Sequence, residues 1–282
     1  MTGKTFCNPG CTVLSLPPEA APAGKTFCNP GCTVLSLPPE AAPAGKTFFN
    51  PGCTVLSLPP EAAPAGKTFC NPGCALSLYK PEMELRILEF LNRNWQKIAL
   101  HNICCRHETL LEKGSVIVNV CAGCDRRFST LYEGISTISV WEIIDRLDAF
   151  AFPDYRGLRL SVQDPCPVRE KPQVHQAVRS LLHKMHIEVL ETRLHGTRSV
   201  CCGDDLYPKL PLDKIHAQMT KRAQAMPCPE VCVYCVSCIK ALHIGGRKPR
   251  HLLDLLMNEP TDPQIYDTVQ WHEQLQRYID TH

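Results

Sequence analysis

The sequence predicts an α/β protein built from two pseudo-repeated, cysteine-rich domains with mostly parallel sheets, preceded by an irregular repeat tail. Three observations predict it. Short apolar runs of strand character alternate with amphipathic stretches from Pro81 onward. The cysteines after Gly66 fall into two groups with one shared order. Ahead of them, a 21-residue unit is copied almost unchanged. The expected domains are 1–65 (the tail), 66–152 and 153–282.

The tail comes first. GKTFCNPGCTVLSLPPEAAPA starts at Gly3 and returns at Gly24 and Gly45, the third copy with Phe49 in place of cysteine. A fourth start, GKTFCNPGC at Gly66, runs on into new sequence. The prolines of LPPEAAPA break both helix and sheet pairing, which argues against a stacked solenoid. Residues 1–65 are therefore expected to be extended and poorly packed. Cys7, Cys11, Cys28, Cys32 and Cys53 read as redundant copies of the opening at Gly66, with spare metal ligands as the alternative.

The globular elements follow in order. Residues 81–95 carry Leu85, Leu88, Leu91 and Trp95 at helical spacing, with Ile87 beside them, and open on a proline. KIALHNI and SVIVNV read as strands. TISVWEIIDRLDAF reads as a strand end passing into a helix, and GLRLSVQ as another strand. Residues 171–186 form an amphipathic helix through Val174, Val178, Leu181, Leu182 and Met185. IEVLET is a strand, 211–226 a helix, and 262–280 a final helix with Ile265, Val269, Leu275 and Ile279 on one side. Alternating strands and helices imply parallel pairing.

Composition narrows the function. The chain has 282 residues and a net charge of +2 with both signs interspersed, so neither nucleic acid nor an anionic membrane is called for. No apolar run reaches the ~18 residues of a membrane helix, and MTGKTFCNPGCTVL has no signal-peptide character. Eighteen cysteines are the anomaly. They come as Cys-Cys and C-x-x-C groups, which read as metal sites in a reducing cytoplasm rather than as disulfides. Cys201 and Cys202 in SVCCGDD are a case in point. Adjacent Cα atoms lie about 3.8 Å apart, closer than the ~4.4–6.8 Å usual for a disulfide.

The two groups run in parallel. The first is Cys70 and Cys74, then Cys104–Cys105, then Cys121-x-x-Cys124. The second is Cys166, then Cys201–Cys202, then Cys228, Cys232, Cys235 and Cys238. The second group has the longer gap before its C-x-x-C, by about the length of the helix at 211–226. Each half then offers a strand-loop with one cysteine, a helix, a strand, a turn with two cysteines, and a C-x-x-C opening a helix. Such loops gather at one edge of a parallel sheet, so five thiolates converge in each half. That number exceeds a structural zinc site, which takes four ligands, and suits an iron–sulfur cluster; zinc and metal-free redox thiols stay open.

HGTRSVCCGDD, with Cys166 in VQDPCPV before it and CVYCVSCIKAL after it, resembles the Cys-Cys-Gly cysteine-rich domain. That family includes a cysteine-rich subunit of heterodisulfide reductase and its relatives in lactate, glycolate and glycerol-3-phosphate oxidation. FCNPGC resembles the family's opening loop, and the resemblance runs from Gly66 to about Leu242. It implies two such domains and one or two 4Fe–4S clusters of non-cubane type. The implied ligands are Cys166, Cys201, Cys202, Cys235 and Cys238 in the second half. In the first half they are Cys74, Cys104, Cys105, Cys121 and Cys124. Cys232 is an alternative ligand, and Arg106 stands where the family has glycine after the cysteine pair. The chain lacks the C-x-x-C-x-x-C-x-x-x-C-P ferredoxin signature, so electrons must come from a partner such as a ferredoxin-like protein or flavoprotein.

Other residues carry lesser expectations. Gly203 supplies a tight turn. Asp204 and Asp205 cap a helix or are solvated, and His107 and His195 are ordinary loop histidines near the cysteines. GGRKPRH, 245–251, is a solvated basic turn or an anion site, and Trp95, Trp141 and Trp271 are core or interface. The expected function is electron transfer, in a heterodisulfide-reductase-like oxidoreductase that acts on a small thiol or disulfide. A zinc-binding interaction module and a metal-free dithiol oxidoreductase are the alternatives.

Overall fold

The structure, a computed structural model, describes residues 67–148, 150–263 and 267–282, and five short strands of the repeat region. Those are β1 (Thr5–Phe6), β2 (Thr12–Val13), β3 (Thr26–Phe27), β4 (Thr33–Leu35) and β5 (Val55–Leu56). β1 pairs with β3, β2 with β4, and β4 with β5, all in parallel. Each pair matches the same residue of successive copies: Thr5 with Thr26, Thr12 with Thr33, Val34 with Val55. The rest of the expected tail lies outside the described residues.

Met1–Ala63 and Pro64–His282 are separate compact units. The second unit is mixed α/β with two four-stranded, all-parallel sheets. The first sheet joins β6 (Thr68–Asn71), β7 (Ala99–Leu100), β8 (Val116–Asn119) and β9 (Ser136–Ser139) in the order β7-β6-β8-β9. The second joins β10 (Arg159–Gln163), β11 (Glu188–Val189), β12 (Glu230–Val233) and β13 (Lys248–His251) in the order β11-β10-β12-β13. The orders are the same, so the two halves share one topology as well as one cysteine pattern. Every pair is parallel, with Phe69 opposite Ile117 in one sheet and Val162 opposite Cys232 in the other. Val, Ile and Cys fill the central strands because both faces are covered.

Helices α1 (Cys74–Tyr79) and α2 (Glu82–Asn94) follow β6; α3 (Ala122–Leu131) follows β8; α4 (Val140–Arg146) follows β9. In the second half, α5 (Pro172–Lys184) follows β10, and α6 (Leu212–Gln224) fills the longer gap before β12. Next come α7 (Val236–Ile244), α8 (Leu252–Leu256) and, at the end, α9 (Thr268–Thr281). α5 starts with proline at its first position and buries Val174, Val178, Leu181 and Leu182 as its periodicity predicts. α2 turns differently from expectation. It buries Met83, Ile87 and Leu91, spaced by four, and leaves Leu85 and Trp95 outward. The stripe through Met83 is the continuous one at helical period, and Leu85 falls off it.

GGRKPRH corrects another expectation. Gly246 turns at φ 84° and Lys248–His251 forms the edge strand β13 rather than a solvated turn. Pro249 and His251 point inward, while Lys248 and Arg250 reach Glu230 at 2.9 Å each. Proline and outward cations are what a sheet edge tolerates.

One apolar core runs through both halves, from Leu76, Met83 and Trp141 to Val162, Leu181 and Leu252. Polar contacts cross with it. Asp254, buried, accepts from Tyr79 Oη and Lys80 Nζ, both at 2.7 Å. The final helix begins at Thr268, where the Asp267 side chain accepts from the Gln270 amide. Ile265 lies outside the described residues. Trp141 and Trp271 are buried, whereas Trp95 is 37% exposed.

Candidate functional site

The parallel strands end on the loops that carry the cysteines, as the geometry of such sheets requires. In the first half, Cys74 opens α1 just after β6, Cys104 and Cys105 sit in the loop after β7, and Cys121 caps α3 with Cys124 in its first turn. In the second, Cys166 follows β10, Cys201 and Cys202 precede a short 3-10 turn, and Cys235 caps α7 with Cys238 in its first turn. A residue at the cap and one three positions on share a helix face, so each C-x-x-C presents both thiols together.

The thiols of each half shift one another's titration along the same sequence of neighbours. In the first it runs Cys74–Cys104–Cys105–Cys124–Cys121. In the second it runs Cys166–Cys201–Cys202–Cys238–Cys235, with Cys238 Sγ 3.3 Å from Cys202 Sγ. All ten sulfur-bearing residues line one cavity of about 650 Å³ between the two halves. Cys70 and Cys232 do not line it. They are fully buried within β6 and β12, and burial pushes each thiol up to about 12. Cys228 is buried outside the cavity as well, its amide donating to Ser161 Oγ.

Two glycines let the loops approach. Gly73 has φ 83°, and a Cβ there would lie 2.5 Å from Cys121 Cβ and 3.2 Å from Cys124 Sγ. Gly203 has φ 111°, and a Cβ would meet Met219 Cγ at 2.9 Å. Both positions demand glycine on conformation and on space. Arg106 needs neither. Among the described non-glycine residues only His186 and Asn258 have positive φ, so the arginine follows its cysteine pair in ordinary backbone.

Charge is distributed with a pattern. Hydrogen bonds from Cys105 and Cys74 hold the Cys104 thiol far below its usual range, at about 2, and its backbone donor is the Arg106 amide. Hydrogen bonds from Cys166 and Cys202 do the same for Cys201, also about 2, with the Gly203 and Asp205 amides as backbone donors. Cys121, at the start of α3, is held at about 7, chiefly by its bond from Cys124. Their partners Cys74, Cys166, Cys124, Cys202 and Cys238 are pushed up, because each donates its proton along that sequence of neighbours. One side of the cavity carries Arg106, Arg126 and Arg127; the other carries Asp204, Asp205 and Glu273. Arg127 Nε donates to the Cys105 carbonyl at 3.1 Å.

Asp204 departs from its sequence reading, whereas Asp205, His107 and His195 match theirs. Asp204 is neither cap nor solvated. It is buried, 2.7 Å from Lys240 Nζ and 3.3 Å from His272 Nε2, and the His272 hydrogen bond with the Lys240 charge depresses its carboxyl despite the cost of burial. Asp205 is exposed, near Lys209. His107 Nε2 contacts the Ile279 carbonyl, and His195 Nδ1 contacts the Thr192 carbonyl at 2.7 Å, both loop-fixing roles. Periodicity alone does not show that α9 covers the cavity, yet His272, Gln276 and Ile279 line it. The His282 carbonyl accepts from the Cys104 amide, and Trp271 Nε1 donates to Ser237 Oγ.

The donor set is all thiol, the chemistry that thiophilic metals and iron–sulfur clusters take. Among the described residues no group of three or more His, Cys, Asp or Glu side chains is placed to hold a metal ion. No helix of the described residues is long and apolar enough to cross a membrane. No known protein family matches the chain, and no curated protein matches it.

Proposed function

We propose that this chain is an iron–sulfur electron-transfer protein of the Cys-Cys-Gly type, working in the cytoplasm as one component of a disulfide-reductase-like oxidoreductase. One observation carries the reading: two matching five-thiol sets, one from each half, line one cavity. Cys74, Cys104, Cys105, Cys121 and Cys124 would hold one 4Fe–4S cluster, and Cys166, Cys201, Cys202, Cys235 and Cys238 another. Gly73, whose absent Cβ leaves room between Cys121 and Cys124, supports the fit. Bound clusters supply one-electron storage.

The chain's own residues do the rest. α9 lines the cavity through His272, Gln276 and Ile279 and shields part of it. Arg106, Arg126 and Arg127 give one wall a positive face where an anionic thiol or disulfide can rest. A ferredoxin-like or flavoprotein partner delivers the electrons.

The test is iron, sulfide and zinc per chain on protein purified without oxygen, with EPR of both oxidation states. About eight irons and matching sulfide mean both sets are loaded, and about four mean one. Zinc without sulfide leaves a structural module and ends the redox reading. The placement of Cys235 at the cap of α7 and Cys238 in its first turn favours a second reading, a metal-free dithiol oxidoreductase drawing on that pair. That reading requires activity to survive chelation.

A further inference from the structure

The two cysteine sets rest on unlike foundations. Beneath the first, the strand ends of β6 and β8 meet through neutral amides, Asn71 Nδ2 donating to Asn119 Oδ1 at 2.8 Å. Beneath the second lies a guanidinium. Arg222, on α6, is only 3% exposed. Its three hydrogen-bond partners are all neutral: Gln163 Oε1 at 2.6 Å, the Leu194 carbonyl at 3.2 Å and Ser199 Oγ at 3.3 Å. Asp164, which also lies in its field, is already engaged by Arg179 through both oxygens and by Tyr234.

Those partners are the roots of the ligand loops. Gln163 ends β10 just before Cys166, and its amide donates to the Val200 carbonyl at 3.1 Å. Ser199 stands two residues before Cys201 and donates to the Asp164 carbonyl at 2.8 Å. A buried cation with no carboxylate of its own is costly unless anions sit nearby. Besides Asp164, the groups that act on its charge are the sulfurs of Cys238, Cys202 and Cys201 in the second cysteine set.

Resting on the iron–sulfur reading above, we propose that Arg222 is the counter-charge and positioning residue of the second cysteine set: its guanidinium raises the reduction potential of the cluster held there above what a neutral side chain at that position would give. A fixed positive charge favours the more negative, reduced state, and a buried one is screened little.

The experiment is an EPR-monitored redox titration of the full chain with iron and sulfide counts, signals being assigned with C104S and C201S proteins. Four proteins are compared: wild type, R222K, R222Q and Q163E. R222K keeps the charge. R222Q removes it but keeps an amide donor. Q163E leaves Arg222 in place and sets a carboxylate against it. At a fixed potential, the reduced-to-oxidised ratio of the second centre should fall about tenfold or more in R222Q and Q163E, equal to ~59 mV for one electron. R222K should stay near wild type, and the first centre should not move. If both neutralised proteins fail to load the second set while R222K loads it, the counter-charge role also stands. Loaded R222Q or Q163E with an unmoved second potential overturns the proposal and leaves the iron–sulfur reading intact. Equal failure of R222K and R222Q to load, with Q163E normal, overturns it too and makes Arg222 a packing residue. Wild type without iron and sulfide overturns both.

Discussion

Tyr234 donates its phenolic proton to Asp164 at 2.6 Å, deep in the second half. The contact joins the two loops that matter: Tyr234 precedes Cys235, and Asp164 stands two residues ahead of Cys166. Asp164 also takes the bidentate Arg179 and the Gly196 amide. Those donors hold its carboxyl below the usual range against the pull of burial. Tyr234→Phe removes one of several donors and should cost about 1–2 kcal/mol in chemical denaturation. Asp164→Ala leaves the partly buried Arg179 without its main partner and should cost more, about 3 kcal/mol and, on the iron–sulfur reading, reduce metal content in the second set.

The two glycines should separate the halves functionally. Gly73→Ala places a methyl group 2.5 Å from Cys121 Cβ, in a backbone that alanine rarely adopts. Gly203→Ala presses on Met219 in the same way. Each should cost about 1–3 kcal/mol. On the iron–sulfur reading proposed above, each should also halve iron per chain, with EPR showing loss of the first centre in one protein and the second in the other.

Stability should fall on mild acidification through His251. Burial drives its imidazole down to about 4, and it packs beside Tyr79 and Trp141. The unfolded chain binds that proton near the ordinary value of about 6.5, so the unfolded state holds more protons between the two values. The contribution is full above about pH 6.5 and is lost progressively as pH falls to about 4. Over that window it amounts to about 3 kcal/mol. His251→Asn should flatten the melting temperature profile between pH 7 and 4.5 relative to wild type.

Lys171 and Asp125 form an ion pair between the halves, Asp125 being almost wholly buried. Lys171→Met strands the carboxylate with only the distant Asn119 amide, 3.5 Å away. Because Lys171 keeps some solvent contact, the loss should be nearer 2 kcal/mol than the ~3–5 of a fully buried pair. Urea midpoints will measure it.

The cysteine order made the twofold plan of the sheets legible, since each ligand loop must follow a strand of matching rank. Helix α6 was legible too, as the length that one half has and the other lacks. Other features were hidden because they depend on contacts distant in sequence. Nothing local in GGRKPRH says that Glu230 waits opposite Lys248 and Arg250, so a strand looked like a turn. Asp204 reads as a capping residue until Lys240 and His272 are brought to it from two later helices. Arg222 lies on an ordinary amphipathic helix, and only the folded chain reveals that it is buried beside Ile215, Met219 and Ala223.

The last helix touches both cysteine sets. One end is tied to Ser237 beside Cys238, and the other returns a carbonyl to the Cys104 amide. Two sites of matching design thus answer to one latch. Displacing that helix would widen access to both sets at once, so opening one opens its twin.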